Sequence, residues 1–108
     1  MLPKHQRLNL KTDFTRVIKG RRFETPHFIV YSKPTDQDIV KVGISIRTKN
    51  FGKAHNRNRA RRLTSEAIQK LFPLLHLNQD LIIMPKSGLL ESTTDVLSKE
   101  LEYVLVGN

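Results

Sequence analysis

The segment Arg57–Arg62 contains four arginines, and the spacing of an amphipathic helix continues through it. Apolar residues recur at intervals of three and four positions, at Ala60, Leu63, Ala67 and Leu71. At about 100° per residue these positions form one stripe of an α-helix. The stripe has to be buried against the rest of the chain, so the fold must leave the arginines on the outside.

The arginines oppose the helix that carries them. Arg57 and Arg61 are like charges at i and i+4, and such pairs destabilise a helix by a few tenths of a kcal/mol. They also lie near the helix N-terminus, where the macrodipole is already positive. Only Arg62 has an obvious acidic partner at helical spacing, Glu66. Because guanidinium groups bind phosphate through paired hydrogen bonds, the cluster indicates an external polyanion; the alternative is a solvated charged face.

Charge is unevenly distributed along the 108 residues, whose formal net charge is +9. Residues 1–62 hold 16 basic and 4 acidic side chains, whereas residues 63–108 hold 3 basic and 6 acidic ones. A polarised distribution of this kind indicates a binding surface for nucleic acid. An anionic membrane is the competing partner, but no basic helix also has a bulky exposed apolar face.

Length and composition predict one domain, residues 1–108, with one modest hydrophobic core. The chain has no cysteine, which fits a reducing cytoplasm. Its first ten residues lack the apolar segment of a secretory signal, and no stretch approaches the roughly 20 apolar residues of a membrane span. We therefore expect a cytoplasmic protein that is not inserted in a membrane.

Periodicity and helix-breaking residues predict six elements in the order α-β-β-α-β-α. Helices are predicted at about 11–20, 54–72 and 94–106, and strands at 28–32, 40–46 and 80–84. The segment 34–38 is predicted as a turn and 47–53 as a basic loop. A strand, a long helix and a second strand form a crossover, so part of the sheet should be parallel and the fold an α/β sandwich. Such crossovers are right-handed by default.

Side chains suited to catalysis by the protein alone are few. The four histidines show no metal-ligand spacing; they are His5, His27, His55 and His76. The pair Gly52-Lys53 lacks the upstream glycine and the following Ser or Thr of a phosphate-binding loop. The sequence therefore predicts neither a protein-only active site nor a protein metal site.

Two aromatic residues lie in basic surroundings, Phe14 on the first helix and Tyr31 on the first strand. The basic residues nearby are Lys11, Arg16, Lys19, Arg21, Arg22 and Lys33. Aromatic faces beside cations are typical of surfaces that bind single-stranded nucleic acid. The alternative for Phe14 is a place in the core with Val17 and Ile18, whereas Tyr31 is expected to be partly exposed.

Three segments resemble the protein component of bacterial ribonuclease P: Lys41–Ile46, Lys49–His55 and Arg57–Leu63. They are similar to the family's R-V-G-hydrophobic strand, its basic G-K/N-A loop and its R-N-R-x-K-R-L helix. The segments Arg7–Leu8 and Asp80–Ile83 also fit the family pattern. The similarity covers nearly the whole chain, and the arginine helix is its most specific part.

The resemblance implies an α/β (α+β) sandwich, with a small four-stranded mixed sheet packed by helices, like domain 2 of ribosomal protein S5. It also implies a left-handed β-α-β crossover containing the arginine helix, contrary to the default hand. In this family the RNA subunit removes the 5′ leader of precursor tRNA, and the Mg²⁺ that the reaction uses is held mainly by RNA. The implied partners are the RNA subunit and precursor tRNA, and not a membrane or DNA.

Site residues are implied by their positions in the family motifs. Contact with the RNA subunit is expected from Lys49, Lys53, Arg57, Asn58, Arg59, Arg61 and Arg62. The 5′ leader is expected in a cleft between the first helix and the sheet, formed by Phe14, Ile18, Tyr31, Lys11 and Arg16. One departure is Ser65, which stands where the family usually has an arginine and shortens the basic part of the helix.

The predicted function is therefore that of the protein subunit of ribonuclease P, which is not catalytic without its RNA. The main alternative is a non-catalytic RNA-binding protein of ribosomal or RNA-chaperone type. A nuclease that works without RNA is a more distant alternative.

Overall fold

A four-stranded mixed sheet forms the centre of the structure, a computed structural model that describes residues 2–107. The strands are β1 (Arg21–Glu24), β2 (Phe28–Pro34), β3 (Val40–Ile44) and β4 (Gln79–Pro85). Their order across the sheet is β1-β2-β4-β3. Strand β2 is antiparallel to β1 and β4, whereas β3 is parallel to β4. The predicted four-stranded mixed sheet with a parallel pair is confirmed; the hand of the crossover stays a prediction.

Four α-helices pack around this sheet: α1 (Leu10–Val17), α2 (Thr48–Phe51), α3 (Ala54–Leu71) and α4 (Thr94–Glu102). Short 3₁₀ turns occupy Lys4–Gln6, Phe72–Leu74 and Ser87–Glu91, and a π-helical turn follows α4 at Tyr103–Gly107. Helix α3 connects β3 to β4, which is the predicted crossover. Proline at position 73 ends it as expected.

The alternation of side chains along β4 divides the interior into two apolar clusters. Leu81 and Ile83 belong to the larger cluster, which β2 and β3 share with α3 and α4. Ile82 and Met84 point to the other face and join a smaller cluster with Val17 of α1. Helix α1 therefore covers one face of the sheet, and α3 and α4 cover the opposite one.

The N-terminal segment runs beside β3, which is an edge strand. Arg7 forms an isolated parallel bridge with Val42, and the Leu8 N–H donates to the Val42 carbonyl over 3.0 Å. The missing side chain of Gly43 leaves room for this approach, because a Cβ there would lie 2.7 Å from Leu10 Cδ2 and the leucine side chain would have to move aside. The small residue in the predicted V-G strand motif thus has a packing role.

Several element boundaries differ from the prediction for local reasons. Periodicity alone does not predict strand β1, the fourth strand that the resemblance implies, because three of its four residues are charged and only Phe23 packs against the core. The segment predicted as a basic loop contains the single helical turn α2. Helix α1 begins one residue earlier than predicted, since Asn9 caps it by accepting from the Lys11 N–H.

The buried stripe of α3 is also wider than predicted. Leu63 is only half-buried, whereas Thr64, Ser65 and Ile68 are buried. Thr64 satisfies its hydroxyl by donating to the Ala60 carbonyl at 2.8 Å. Small polar side chains can therefore lie on the inner face of this helix, which an apolar pattern alone does not indicate.

The half-buried carboxylate of Glu100 connects α4 to the start of β2. The His27 N–H donates to Oε2 of Glu100 over 2.7 Å, and the His27 Nδ1 lies 2.7 Å from Oε1. The Thr25 hydroxyl also donates to Oε2. Burial acts to raise the pKa of Glu100, but the bonds from His27 and Thr25 outweigh it and hold the pKa below its ordinary value of 4.5.

We expect Glu100→Gln to lower the free energy of unfolding by about 1–2 kcal/mol at neutral pH, because it removes charge-assisted hydrogen bonds. A carboxylate whose pKa is lowered by folding stabilises above its unfolded pKa and loses that contribution as pH falls through the folded value. The difference between variant and wild type should therefore shrink below about pH 4. Urea denaturation across pH measures it, with Glu102→Gln, exposed on the same helix, as the control. A difference that stays constant down to acidic pH contradicts the assignment.

Candidate nucleic-acid interface

The arginine helix presents most of its guanidinium groups to solvent. Arg59, Arg61 and Arg62 are exposed on α3, and Asn58 beside them accepts a hydrogen bond from Arg61 Nη1 at 3.3 Å. Arg57 is half-buried, and its Nη1 donates to the Gly52 carbonyl over 2.6 Å. Arg57 therefore braces the loop before the helix, and the other three arginines are the more available for a ligand.

None of these four arginines forms an ion pair within residues 2–107. Glu66 is predicted to pair with Arg62 or Lys70 at helical spacing, but the structure shows neither ion pair, and Glu66 Oε1 accepts from the Thr94 hydroxyl at 3.3 Å. The nearby Lys70 pairs with Asp95 of α4. The charge of these four arginines is therefore not neutralised by ion pairs in the part of the chain that the structure describes, which suits an anionic partner.

The start of α3 adds further positive groups. Lys49 and Lys53 are exposed on the turn α2 and at the N-cap of α3. Gly52 connects them with a φ of 58°, a conformation that favours glycine. No side chain caps the first turn of α3, so backbone N–H groups at this end remain available to an anion.

A second candidate surface lies on the opposite face of the sheet. Phe14 of α1, Ile18 at its C-cap and Tyr31 of β2 are all half-buried and pack against the smaller apolar cluster. Tyr31 is paired across the sheet with Ile82 on one side and with Arg22 on the other. The structure thus brings the three predicted cleft side chains together, partly exposed and next to a cation.

The two predicted cations of this cleft differ in their availability. Lys11 is exposed on the first turn of α1. Arg16 donates from Nη2 to Asp80 Oδ2 over 2.6 Å and to Asp13 Oδ1 over 3.1 Å. These hydrogen bonds, that to Asp80 first, raise the pKa of the Arg16 guanidinium. Arg16 therefore holds α1 to β4 and is only partly free to meet a ligand.

Asp80 is the site residue that sequence reasoning underestimated. It was expected simply to open a strand, yet it is buried and anchors Arg16 from 64 positions away. Lys33 of β2 and Lys41 of β3 lie in register with it on either side. The only sign of this role in the sequence is an acidic residue near the start of an otherwise apolar strand.

Acidic and histidine side chains form no candidate metal site among the residues that the structure describes. Across residues 2–107, no three His, Asp or Glu side chains lie close enough together to hold a metal ion. A search of the same residues finds no helix long and apolar enough to cross a membrane.

Comparisons with known proteins converge on one family. The family model described as Ribonuclease P matches residues 2–107. The ribonuclease P protein component of Acinetobacter baylyi is 32% identical over 103 residues, covering 90% of this chain and 75% of the relative. That of Lactococcus lactis (strain MG1363) is 30% identical and covers 96% of this chain and 88% of the relative.

Solved structures give the same result. The ribonuclease P protein from Thermotoga maritima superposes with a TM-score of 0.82 and 26% identity, covering 93% of this chain and 94% of that one. A ribonuclease P protein from Staphylococcus aureus superposes with a TM-score of 0.77 and 28% identity, covering 92% of this chain and 91% of that one. The fold agrees with these proteins over almost its entire length.

Proposed function

The chain belongs to the ribonuclease P protein family, and from this premise we propose that it is the protein subunit of the ribonucleoprotein that removes the 5′ leader from precursor tRNA. The observation that carries the proposal is the exposed arginine face of α3, which forms no ion pair among the described residues. Arginines that oppose their own helix are explained by an RNA partner that neutralises them.

The two candidate surfaces divide the RNA contacts between them. The arginine surface is proposed to bind the RNA subunit through Lys49, Lys53, Arg57, Asn58, Arg59, Arg61 and Arg62. The cleft is proposed to hold the leader through Phe14, Ile18, Tyr31, Lys11 and Arg16. In this arrangement the whole chain, residues 1–108, is a single RNA-binding domain of a cytoplasmic complex.

The hydrolysis itself is assigned to the RNA subunit. Mg²⁺ supplies charge neutralisation at phosphate oxygens and is proposed to be held mainly by the RNA subunit and the substrate. The protein contributes by neutralising phosphates on one face and by stacking on an unpaired leader on the other. Both contributions bind and orient RNA, and neither requires a catalytic side chain.

Reconstitution with a bacterial ribonuclease P RNA tests this function. At low Mg²⁺ the purified protein should raise the rate at which the RNA cleaves precursor tRNA at the end of its leader, and the protein alone should cleave nothing. Urea-denatured protein and a small unrelated basic protein serve as controls. Cleavage by RNA-free protein, or no stimulation beyond the basic control, contradicts the proposal. Copurification with ribosomal subunits in place of a single RNA of catalytic size would favour a ribosomal-type role.

A further inference from the structure

A cavity of about 200 Å³ lies at the β3 edge of the sheet, between the N-terminal segment, β3 and α3. Its apolar walls are Leu2, Leu8, Leu10, Val42 and Ile44. The cavity is distinct from the proposed leader-binding surface of Phe14, Ile18 and Tyr31, which pack against the smaller apolar cluster. It is smaller than the pockets that hold drug-sized molecules, and its size suits a single planar ring system.

The geometry of the N-terminal segment creates this space. Gly43 lets Leu8 and Leu10 pass close to β3, and the bridge between Arg7 and Val42 holds the segment there. The cavity is therefore bounded by the backbone of β3 and by side chains of the N-terminal segment, β3 and α3.

The polar groups of the cavity indicate what it binds. Ser65 of α3 lines it, is only 4% exposed, and its hydroxyl has no hydrogen-bond partner among the described residues. An unsatisfied buried hydroxyl is costly, and a ligand with a polar edge would satisfy it once the Ser65 side chain rotates its Oγ toward the cavity. Two exposed cationic residues, Arg7 and Arg61, also line the cavity, and no acidic residue among those described does so.

We propose that this cavity receives the base of one unpaired nucleotide of the RNA subunit, with its phosphate bound by Arg7 and Arg61. An apolar slot, one buried hydroxyl and two rim guanidinium groups match the ring, the polar edge and the phosphate of a nucleotide. Arg61 belongs to the arginine face, so the cavity continues that surface around the edge of the sheet. The inference rests on the proposed function and adds Arg7 and Ser65 to its binding residues.

Methyl NMR of the full chain tests the inference directly, with AMP, GMP, CMP and UMP as probes at millimolar concentration. The methyl resonances of Leu8, Val42 and Ile44 should shift saturably with at least one mononucleotide, whereas that of Leu97 in the core should not move. Ser65→Ala should weaken this binding about fivefold, the loss of one hydrogen bond. Ser65→Leu, which fills the space, should abolish the shifts.

Stability separates a binding role of Ser65 from a structural one. Because its hydroxyl is unsatisfied, Ser65→Ala should leave the melting temperature unchanged or raise it. Ser98→Ala, at another buried serine on α4, is the matched control and should affect neither binding nor melting. A lower melting temperature for Ser65→Ala with unchanged mononucleotide binding overturns the inference.

Binding of the RNA subunit separates this inference from the proposed function. If wild-type protein binds the RNA but no mononucleotide shifts the cavity methyls, the inference is wrong and the proposed function stands. If the cavity methyls shift but wild-type protein does not bind ribonuclease P RNA, the proposed function is wrong and the cavity remains a nucleotide site.

Discussion

Replacing Arg59, Arg61 and Arg62 together with alanine should weaken binding to the RNA subunit by about a thousandfold at moderate salt, since each exposed guanidinium gives up a charge-assisted hydrogen bond to phosphate. The slope of log affinity against log salt should become shallower by very roughly 0.7–0.9 for each phosphate that the variant no longer neutralises. Filter binding or fluorescence anisotropy over a range of salt concentrations measures both quantities.

The control for this experiment removes one positive charge from the C-terminal half of the chain, which is net acidic. Lys99→Ala, exposed on α4, lowers the net charge without touching the arginine face, and its salt slope should match the wild type. The triple variant should melt at the same temperature or slightly higher, because like-charge repulsion in α3 is reduced. If the triple variant binds RNA with normal affinity and an unchanged salt slope, these arginines form a solvated charged face and do not bind RNA.

The second large effect is expected in the cleft, where Tyr31→Ala should weaken binding of precursor tRNA to the reconstituted complex and leave mature tRNA binding nearly unchanged. Stacking on a base is worth roughly 1–3 kcal/mol by alanine substitution. Only a substrate with an unpaired leader can provide that base. Competition binding with the two tRNAs in parallel measures the difference.

Tyr31→Phe keeps the ring and should retain most of the affinity, which makes it the matched control. Tyr31 is a cleaner probe than Phe14, because Phe14 lies on α1 and its truncation disturbs the packing of that helix against the sheet. Each variant must first show a cooperative melting transition. Equal losses for precursor and mature tRNA would place the tyrosine outside the leader path.

Local patterns predict the arginine helix well, because its apolar spacing and the proline that ends it are both local features of the sequence. The apolar spacing and the proline at position 73 give a helix from about 54 to 72, and the structure has Ala54–Leu71. Strand β1 escaped prediction because an edge strand with one apolar side chain has no alternating pattern. Periodicity thus predicts elements that contribute much to the core and misses those that mainly extend the sheet.

Features that depend on distant residues could not be predicted in the same way. Arg16 is predicted to contact the leader. Its hydrogen bond to Asp80 could not be predicted from local patterns, because the two residues are 64 positions apart. The cavity beside Ser65 likewise requires the N-terminal segment, β3 and α3 to come together. Motif similarity predicted which residues form the cleft, and only the packed chain shows that Arg16, one of its two cations, already bonds to Asp80.

The N-terminal segment that lies against β3 has a consequence for self-association. An edge strand offers unpaired N–H and C=O groups that can template pairing with another molecule, the first step toward aggregation. Here the bridge at Val42 uses part of one edge, and the opposite edge is the four-residue strand β1, whose Arg21, Arg22 and Glu24 are exposed. Removing the first eight residues should therefore expose the unpaired N–H and C=O groups of β3. We expect the shortened chain to aggregate more rapidly in concentrated solution.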